Sequence, residues 1–157
     1  MSDFLINFVD DEHEDEHLVH ANKKQDWLIA IIDDEQSVHD ATKLALSKTK
    51  ILDRNLKFIN AFSGEEGFSL LKDNPDCSVV LLDVVMESSD AGLILAERIR
   101  HELKRDNLQI ILRTGQPGYA PEEDIISKYE INDYKTKNEL TRDKLFTSLA
   151  PCLFYFL

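Results

Sequence analysis

The 157-residue chain is long enough for one domain, and its 43% apolar and 31% charged residues predict a globular protein with a real core. Eighteen Lys and Arg against thirty Asp and Glu leave a net charge of −12, the wrong sign for holding nucleic-acid phosphates. No apolar run reaches the roughly 20 residues of a membrane span, no basic-then-apolar leader opens the chain, and Cys77 and Cys152 form no metal or redox pattern. The expectation is a cytoplasmic protein with no direct nucleic-acid partner, no membrane contact and no disulfide or zinc framework.

Residues 1–26 carry eight acidic side chains and two lysines, most densely in Asp10-Asp11-Glu12-His13-Glu14-Asp15-Glu16-His17. Like charges in a block repel and stay solvated, which predicts a disordered acidic arm rather than a metal trap at His13 and His17. From Trp27 the pattern changes, and a domain is expected over 27–150. Five short apolar runs recur: Trp27–Ile32, Leu56–Phe62, Cys77–Leu82, Leu108–Leu112 and Glu130–Tyr134. The third and fourth suit parallel strands covered on both faces. Helical stripes lie between them, with Val38, Ala41 and Ala45 in one and Leu95, Ile99 and Leu103 in another. Ser63 and Glu66 have capping-box spacing. Pro121 before Glu122, Glu123 and Asp124 suits the first turn of a fourth helix. Thr141 opens a fifth helix with Leu145 and Leu149, and residues 151–157 are left as an apolar end or the start of a linker. Five strand–helix alternations predict an α/β fold with a parallel sheet and right-handed crossovers.

In open parallel sheets, ligands sit outside the carboxyl ends of the strands. Asp33 and Asp34 follow the first predicted strand, Asp83 the third, Arg113 and Thr114 the fourth, and Lys135 and Lys137 the fifth. Two unit charges about 4 Å apart repel by roughly 4 kcal/mol at an effective dielectric near 20, so three clustered carboxylates either protonate or recruit a cation. With oxygen ligands only, the natural cation is Mg²⁺. Such a cluster beside a Thr and a Lys is equipped to neutralise a phosphoryl group in transfer. A lone Asp at a strand end is more often a helix cap, and Asp33 or Asp34 alone fits that reading. Asp83, directly after Val79-Val80-Leu81-Leu82, does not.

With Ile31-Ile32-Asp33-Asp34-Glu35, Leu81-Leu82-Asp83-Val84-Val85-Met86, Leu112-Arg113-Thr114-Gly115 and Asp133-Tyr134-Lys135-Thr136-Lys137, the chain resembles the receiver domain of bacterial two-component response regulators from about Trp27 to Ala150. The resemblance implies a (βα)5 flavodoxin-like, doubly wound parallel sheet with strand order 2-1-3-4-5. It implies Mg²⁺-dependent transfer of a phosphoryl group from a histidine kinase or phosphotransfer protein. On this basis Asp83 is the phosphoacceptor, Asp34 and Asp83 bind the metal, Asp33 orients the metal or its water, and the backbone carbonyl of Val85 completes the protein ligands. Thr114 and Lys137 hold phosphoryl oxygens, and Thr114 with the Tyr134 ring forms the switch. Signalling is then expected on the face of helix 4, strand 5 and helix 5, through a partner or a homodimer.

Three departures from the family pattern stand out. The loop Met86-Glu87-Ser88-Ser89-Asp90-Ala91-Gly92 lacks the usual Pro and is one residue longer. Asn138 replaces the Pro that commonly follows the Lys. Lys135 and Lys137 share strand parity, and family spacing from Tyr134 favours Lys137. Leu112-Arg113-Thr114-Gly115-Gln116-Pro117-Gly118 resembles a narrower subtype that precedes a domain of unknown function and an HD-GYP phosphodiesterase or diguanylate cyclase, implying control of cyclic-di-GMP turnover. No such domain follows Leu157, and the apolar end favours a piece of a longer protein. The rival readings are a degenerate receiver that binds a partner without phosphorylation, and a small phosphatase with an Asp nucleophile and Mg²⁺. That nucleophile would stand on the first strand in a D-x-D, whereas Asp33 and Asp34 are adjacent. A flavin module would need a Gly-rich loop after strand one, and none is present.

Overall fold

A computed structural model describes residues 24–115, 122–138 and 141–157. The expectations for the acidic arm up to Lys23, for Gln116-Pro117-Gly118 and for Pro121 lie outside the described residues. The strands are β1 (Trp27–Ile32), β2 (Lys50–Ile51), β3 (Arg54–Ala61), β4 (Val79–Asp83), β5 (Gln109–Thr114) and β6 (Asp133–Thr136). The helices are α1 (Gln36–Ala45), α2 (Gly64–Asp73), α3 (Ala91–His101), α4 (Glu122–Tyr129) and α5 (Arg142–Phe154). The sheet runs β2-β3-β1-β4-β5-β6. Its five longer strands are parallel, in the expected 2-1-3-4-5 order of a flavodoxin-like α/β fold.

The sixth strand is a correction. β2 pairs antiparallel with β3 through the two-residue turn Leu52-Asp53, both at positive φ (54° and 61°). Such a turn is usually written with Asn-Gly or Asp-Gly, and a Leu in the left-handed region carries no sequence signal. The last strand is also shifted. Glu130, expected to begin it, takes φ 53° and closes α4, with the Ile131 amide donating to the Ile126 carbonyl at 3.1 Å. This is a Schellman-type end made without glycine. The strand then starts at Asp133, so Lys135 lies within β6 and Lys137 directly follows it.

The sheet has two cores. Ile32, Val80, Leu82, Ile110 and Leu112 pack with Leu71 of α2, Leu95 and Ile99 of α3 and Ile125 of α4. On the other face, Ile29, Ile31, Val79, Leu81 and Ile111 pack with Leu46 after α1 and with Leu145, Leu149 and Leu153 of α5. The central strands are buried on both sides, which explains their uninterrupted apolar runs.

The stripe expected on α1 is corrected too: Val38, His39 and Thr42 are buried, while Ala41 and Ala45 are only half-buried. Ser63 caps α2 by accepting from the Glu66 amide at 3.1 Å, and Glu66 reaches back to the Phe62 amide at 2.8 Å. Thr141 caps α5. That helix continues past residue 150 and through Pro151, which removes one ladder donor. Beyond it, Phe156 rests on the Trp27 ring with centroids 6.2 Å apart, so the apolar end closes over the start of β1. Among the described residues no helix is long and apolar enough to cross a membrane.

Candidate functional site

The carboxyl ends of β1, β4 and β5 converge with the residue after β6. Asp33 follows β1 and is fully buried, whereas Asp34 and Glu35 are exposed. One oxygen from each of these three carboxylates lies within 4.8 Å of the others. Asp83 ends β4 and is 1% exposed. The Lys137 ammonium is 2.9 Å from Asp83 Oδ2, 3.2 Å from Asp33 Oδ2 and 3.3 Å from Glu35 Oε1. The Lys137 amide donates to the Thr114 carbonyl at 2.8 Å, which ties the lysine to the end of β5. The peptide bond to Asn138 is trans, as is every peptide bond among the described residues, so no Pro is needed to deliver this side chain. Lys135 points elsewhere: it is 3.8 Å from Asp133 and half-exposed.

Charge and burial oppose each other here. Burial pushes the Asp83 carboxyl up to about 6, and the neighbouring Asp33 adds to this, against the hydrogen bond from Lys137. Burial also disfavours the Lys137 ammonium, but its contacts with Asp83 and Asp33 outweigh that and hold its pKa above the ordinary lysine range. Asp33 Oδ2 is buried and accepts no hydrogen bond among the described residues, although it lies within ion-pair distance of Lys137. An orphaned buried carboxylate oxygen among oxygen-only donors fits a hard divalent cation.

Thr114, the last residue of β5, is 1% exposed. Strand parity puts it with Ile110 and Leu112, and Tyr134 sits opposite Leu112 in the register, so Thr114 and Tyr134 belong to the same sheet face. Tyr134 is half-buried. The Val85 amide donates to Asp83 Oδ1 at 3.3 Å at the head of the following loop.

That loop is held in two ways that sequence reasoning missed. The Glu87 carboxylate accepts from the Gly64 amide at 2.8 Å, at the start of α2 where an anion suits the helix end. Gly92 lies against the Asp83 backbone: a Cβ there would stand 2.0 Å from the Asp83 carbonyl oxygen, so only glycine fits. Its amide donates to the Val84 carbonyl at 2.9 Å. His39 was missed as well. Fully buried, it hydrogen-bonds the Asp33 carbonyl through Nε2 at 2.8 Å and Asn60 Oδ1 through Nδ1 at 2.9 Å. The sequence signal for it was a polar residue beside Val38 on the inner face of α1.

No protein-family model matches the chain. The chain is 42% identical over 132 residues to the 3'3'-cGAMP-specific phosphodiesterase 2 of Vibrio cholerae, a match covering 84% of this chain and 25% of that protein's length. The chain thus spans about a quarter of that relative. Among solved structures, a CheY-like response-regulator receiver domain from Methanospirillum hungatei is 28% identical with a TM-score of 0.64, covering 82% of this chain and 96% of that one. The Mn²⁺-bound form of the response regulator Rcp1 is 21% identical with a TM-score of 0.58, covering 78% and 88%.

Proposed function

Taking the chain as a response-regulator receiver domain of two-component signalling, we propose that it accepts a phosphoryl group on Asp83 from a histidine kinase or phosphotransfer protein. The observation that carries this reading is the buried Asp83 carboxylate, 2.9 Å from the Lys137 ammonium and beside the acidic group of Asp33, Asp34 and Glu35. An Asp83 oxygen attacks phosphorus, the P–N bond of a phosphohistidine breaks, and the freed ring nitrogen takes a proton. The product is an acyl phosphate. Lys137 and Thr114 hold the phosphoryl oxygens, and Lys137 gives up part of its hold on Asp83 to do so. Mg²⁺ would be held by Asp33, Asp34, Asp83 and the Val85 carbonyl, and would supply neutralisation of the phosphoryl charge. That Rcp1, a response regulator of similar fold, has a Mn²⁺-bound form supports the binding of a divalent ion.

The domain is a signalling element and not an enzyme with a separate substrate. Its readout is a shift of Thr114 toward the phosphoryl group and of Tyr134 into the space beneath, altering the α4–β6–α5 face for a partner or a second copy. The phosphodiesterase relative supports control of cyclic-dinucleotide turnover as the output. The trans loop that brings Lys137 to Asp83 favours this reading over a degenerate, partner-binding receiver.

Incubation with Mg²⁺ and acetyl phosphate, followed by intact mass, tests the proposal. The expected result is one phosphate adduct that is labile to hydroxylamine, absent in Asp83→Asn and absent in EDTA. Undiminished labelling of Asp83→Asn, or phosphate mapped to Ser88, Ser89 or Thr114, overturns it.

A further inference from the structure

Arg113 has no part in the chemistry above, yet it lies beneath it. It is the residue of β5 that pairs with Asp83 across the β4–β5 ladder, and it is 1% exposed. Strand parity puts it on the α1/α5 face of the sheet with Ile111. One nitrogen, Nη1, donates to Thr42 Oγ1 at 3.0 Å, and the Thr42 hydroxyl in turn donates to the Val38 carbonyl at 2.7 Å. The other donors, Nε and Nη2, are buried without a hydrogen-bond partner among the described residues. Nor does any carboxylate there come within ion-pair distance of Arg113. A buried cation in this condition is costly unless something else offsets it. The charges that do so are Asp33 and Asp83; burial pushes the guanidinium down to about 10, still cationic at neutral pH, and those two carboxylates oppose the fall.

The charge balance shows what such a cation does. Asp33, Asp34, Glu35 and Asp83 against Lys137 leave three negative charges in the site. Arg113 reduces this to two, the charge that one divalent cation cancels. Lys137 sits at the rim on a flexible stem and can follow a phosphoryl group, whereas Arg113 is tied to α1 by Thr42 and stays. We propose that Arg113 is a fixed second cation of the site, acting through space to weaken the resting domain's hold on divalent metal and to strengthen its hold on the phosphoryl anion. It is a positioning residue, since it touches neither ligand, and the inference rests on the reading of Asp33, Asp34 and Asp83 as the metal and phosphoryl site.

The test uses the full chain and two ligands of opposite charge: Mn²⁺ titrated calorimetrically, and beryllofluoride titrated at saturating Mg²⁺. Arg113→Met removes the charge and keeps the bulk. It is expected to bind Mn²⁺ at least about tenfold more tightly and beryllofluoride at least about tenfold more weakly, the directions Coulomb's law gives for removing a neighbouring positive charge, with the larger shift for the divalent ion. Arg113→Lys restores both affinities to within about threefold. Thr42→Val, which removes the hydrogen bond and spares the charge, leaves both near the wild-type values. A merely structural role weakens both ligands together, so parallel losses, or no change in either, overturn the inference. If Arg113→Met does not fold, Arg113→Gln reads the same pair of affinities. A wild-type chain that binds neither ligand overturns the site reading and the inference with it. Wild-type binding without opposite shifts overturns the inference alone.

Discussion

Buried cations stand at both ends of the sheet, and they are treated in opposite ways. At the amino-terminal edge, Arg100 donates to the carbonyls of Arg105, Leu108 and Glu130 at 2.7 Å each, and Arg105 donates to those of Leu71 and Cys77 at 2.7 Å and of Asn74 at 3.1 Å. These guanidiniums tie loop carbonyls together, two of which, Leu71 and Asn74, also accept from the Asn74 and Cys77 amides. At the carboxyl edge, Arg113 keeps two donors without acceptors, Asp33 keeps an oxygen without a donor, and Asp83 is pushed toward its neutral form. The first edge meets most of its polar demand within the fold and is built for stability, although Arg100 Nε is buried there with only the Glu130 carboxylate, 3.8 Å away, near it. The other carries more unmet demand among the described residues, two nitrogens of Arg113 and one oxygen of Asp33, as an edge completed by a ligand would.

Removing a guanidinium at the first edge and removing a carboxylate at the second are therefore expected to have opposite signs. The largest effect is expected from Arg100→Met, which takes the guanidinium donor from the carbonyls of Arg105, Leu108 and Glu130 at about 1 kcal/mol each; thermal unfolding should show a loss of about 3 kcal/mol. A loss under about 1 kcal/mol would mean that the matched edge is not matched after all. Asp83→Asn should instead stabilise. The folded carboxyl has its pKa raised from 3.8 to about 6, so the fold binds that proton more readily than the unfolded chain does. Its cost is absent below pH 4, grows between pH 4 and 6, and is complete above pH 6, at roughly 2–3 kcal/mol. Denaturant unfolding of Asp83→Asn should show a gain of about 2 kcal/mol at pH 7.5 that disappears by pH 4. A gain that does not depend on pH would assign the effect to something other than this carboxyl. The smallest difference separates the two lysines. Lys137→Met should cost about 1–2 kcal/mol without metal, most of it regained in Mg²⁺, while Lys135→Ala should stay within about 0.5 kcal/mol in either condition. Equal costs, or no recovery in Mg²⁺, would break the assignment of Lys137 to the charged edge.

How much of this was legible beforehand follows from how local each signal is. The runs Val79-Val80-Leu81-Leu82 and Ile110-Ile111-Leu112 announce buried parallel strands because burial on both faces leaves nothing polar to interrupt them. Once the strands are placed, chain order alone brings Asp33, Asp83, Thr114 and Lys137 to one edge. The capping residues Ser63 and Thr141 were equally readable, since a cap acts over three residues. The Leu52-Asp53 turn and the Glu130 helix end were not, because each puts a residue where glycine or asparagine is usual and is held there by its surroundings. Buried polar residues were the hardest. Thr42 and His39 look like surface positions on an amphipathic helix, and only partners 21 to 71 residues away, Asn60 and Arg113, make their burial affordable. For the same reason the sequence placed Arg113 at the edge but assigned it nothing to do.

The loop after Asp83 departs from the family pattern in length and in its missing Pro, yet Gly92 still arrives where a methyl group would collide with the Asp83 carbonyl. What is kept at this point of the molecule is a meeting place between two stretches of backbone, not a spacing along the chain. The stretch between them can then be held by other means, here by the Glu87 carboxylate accepting from the Gly64 amide, while the glycine is delivered to that one spot.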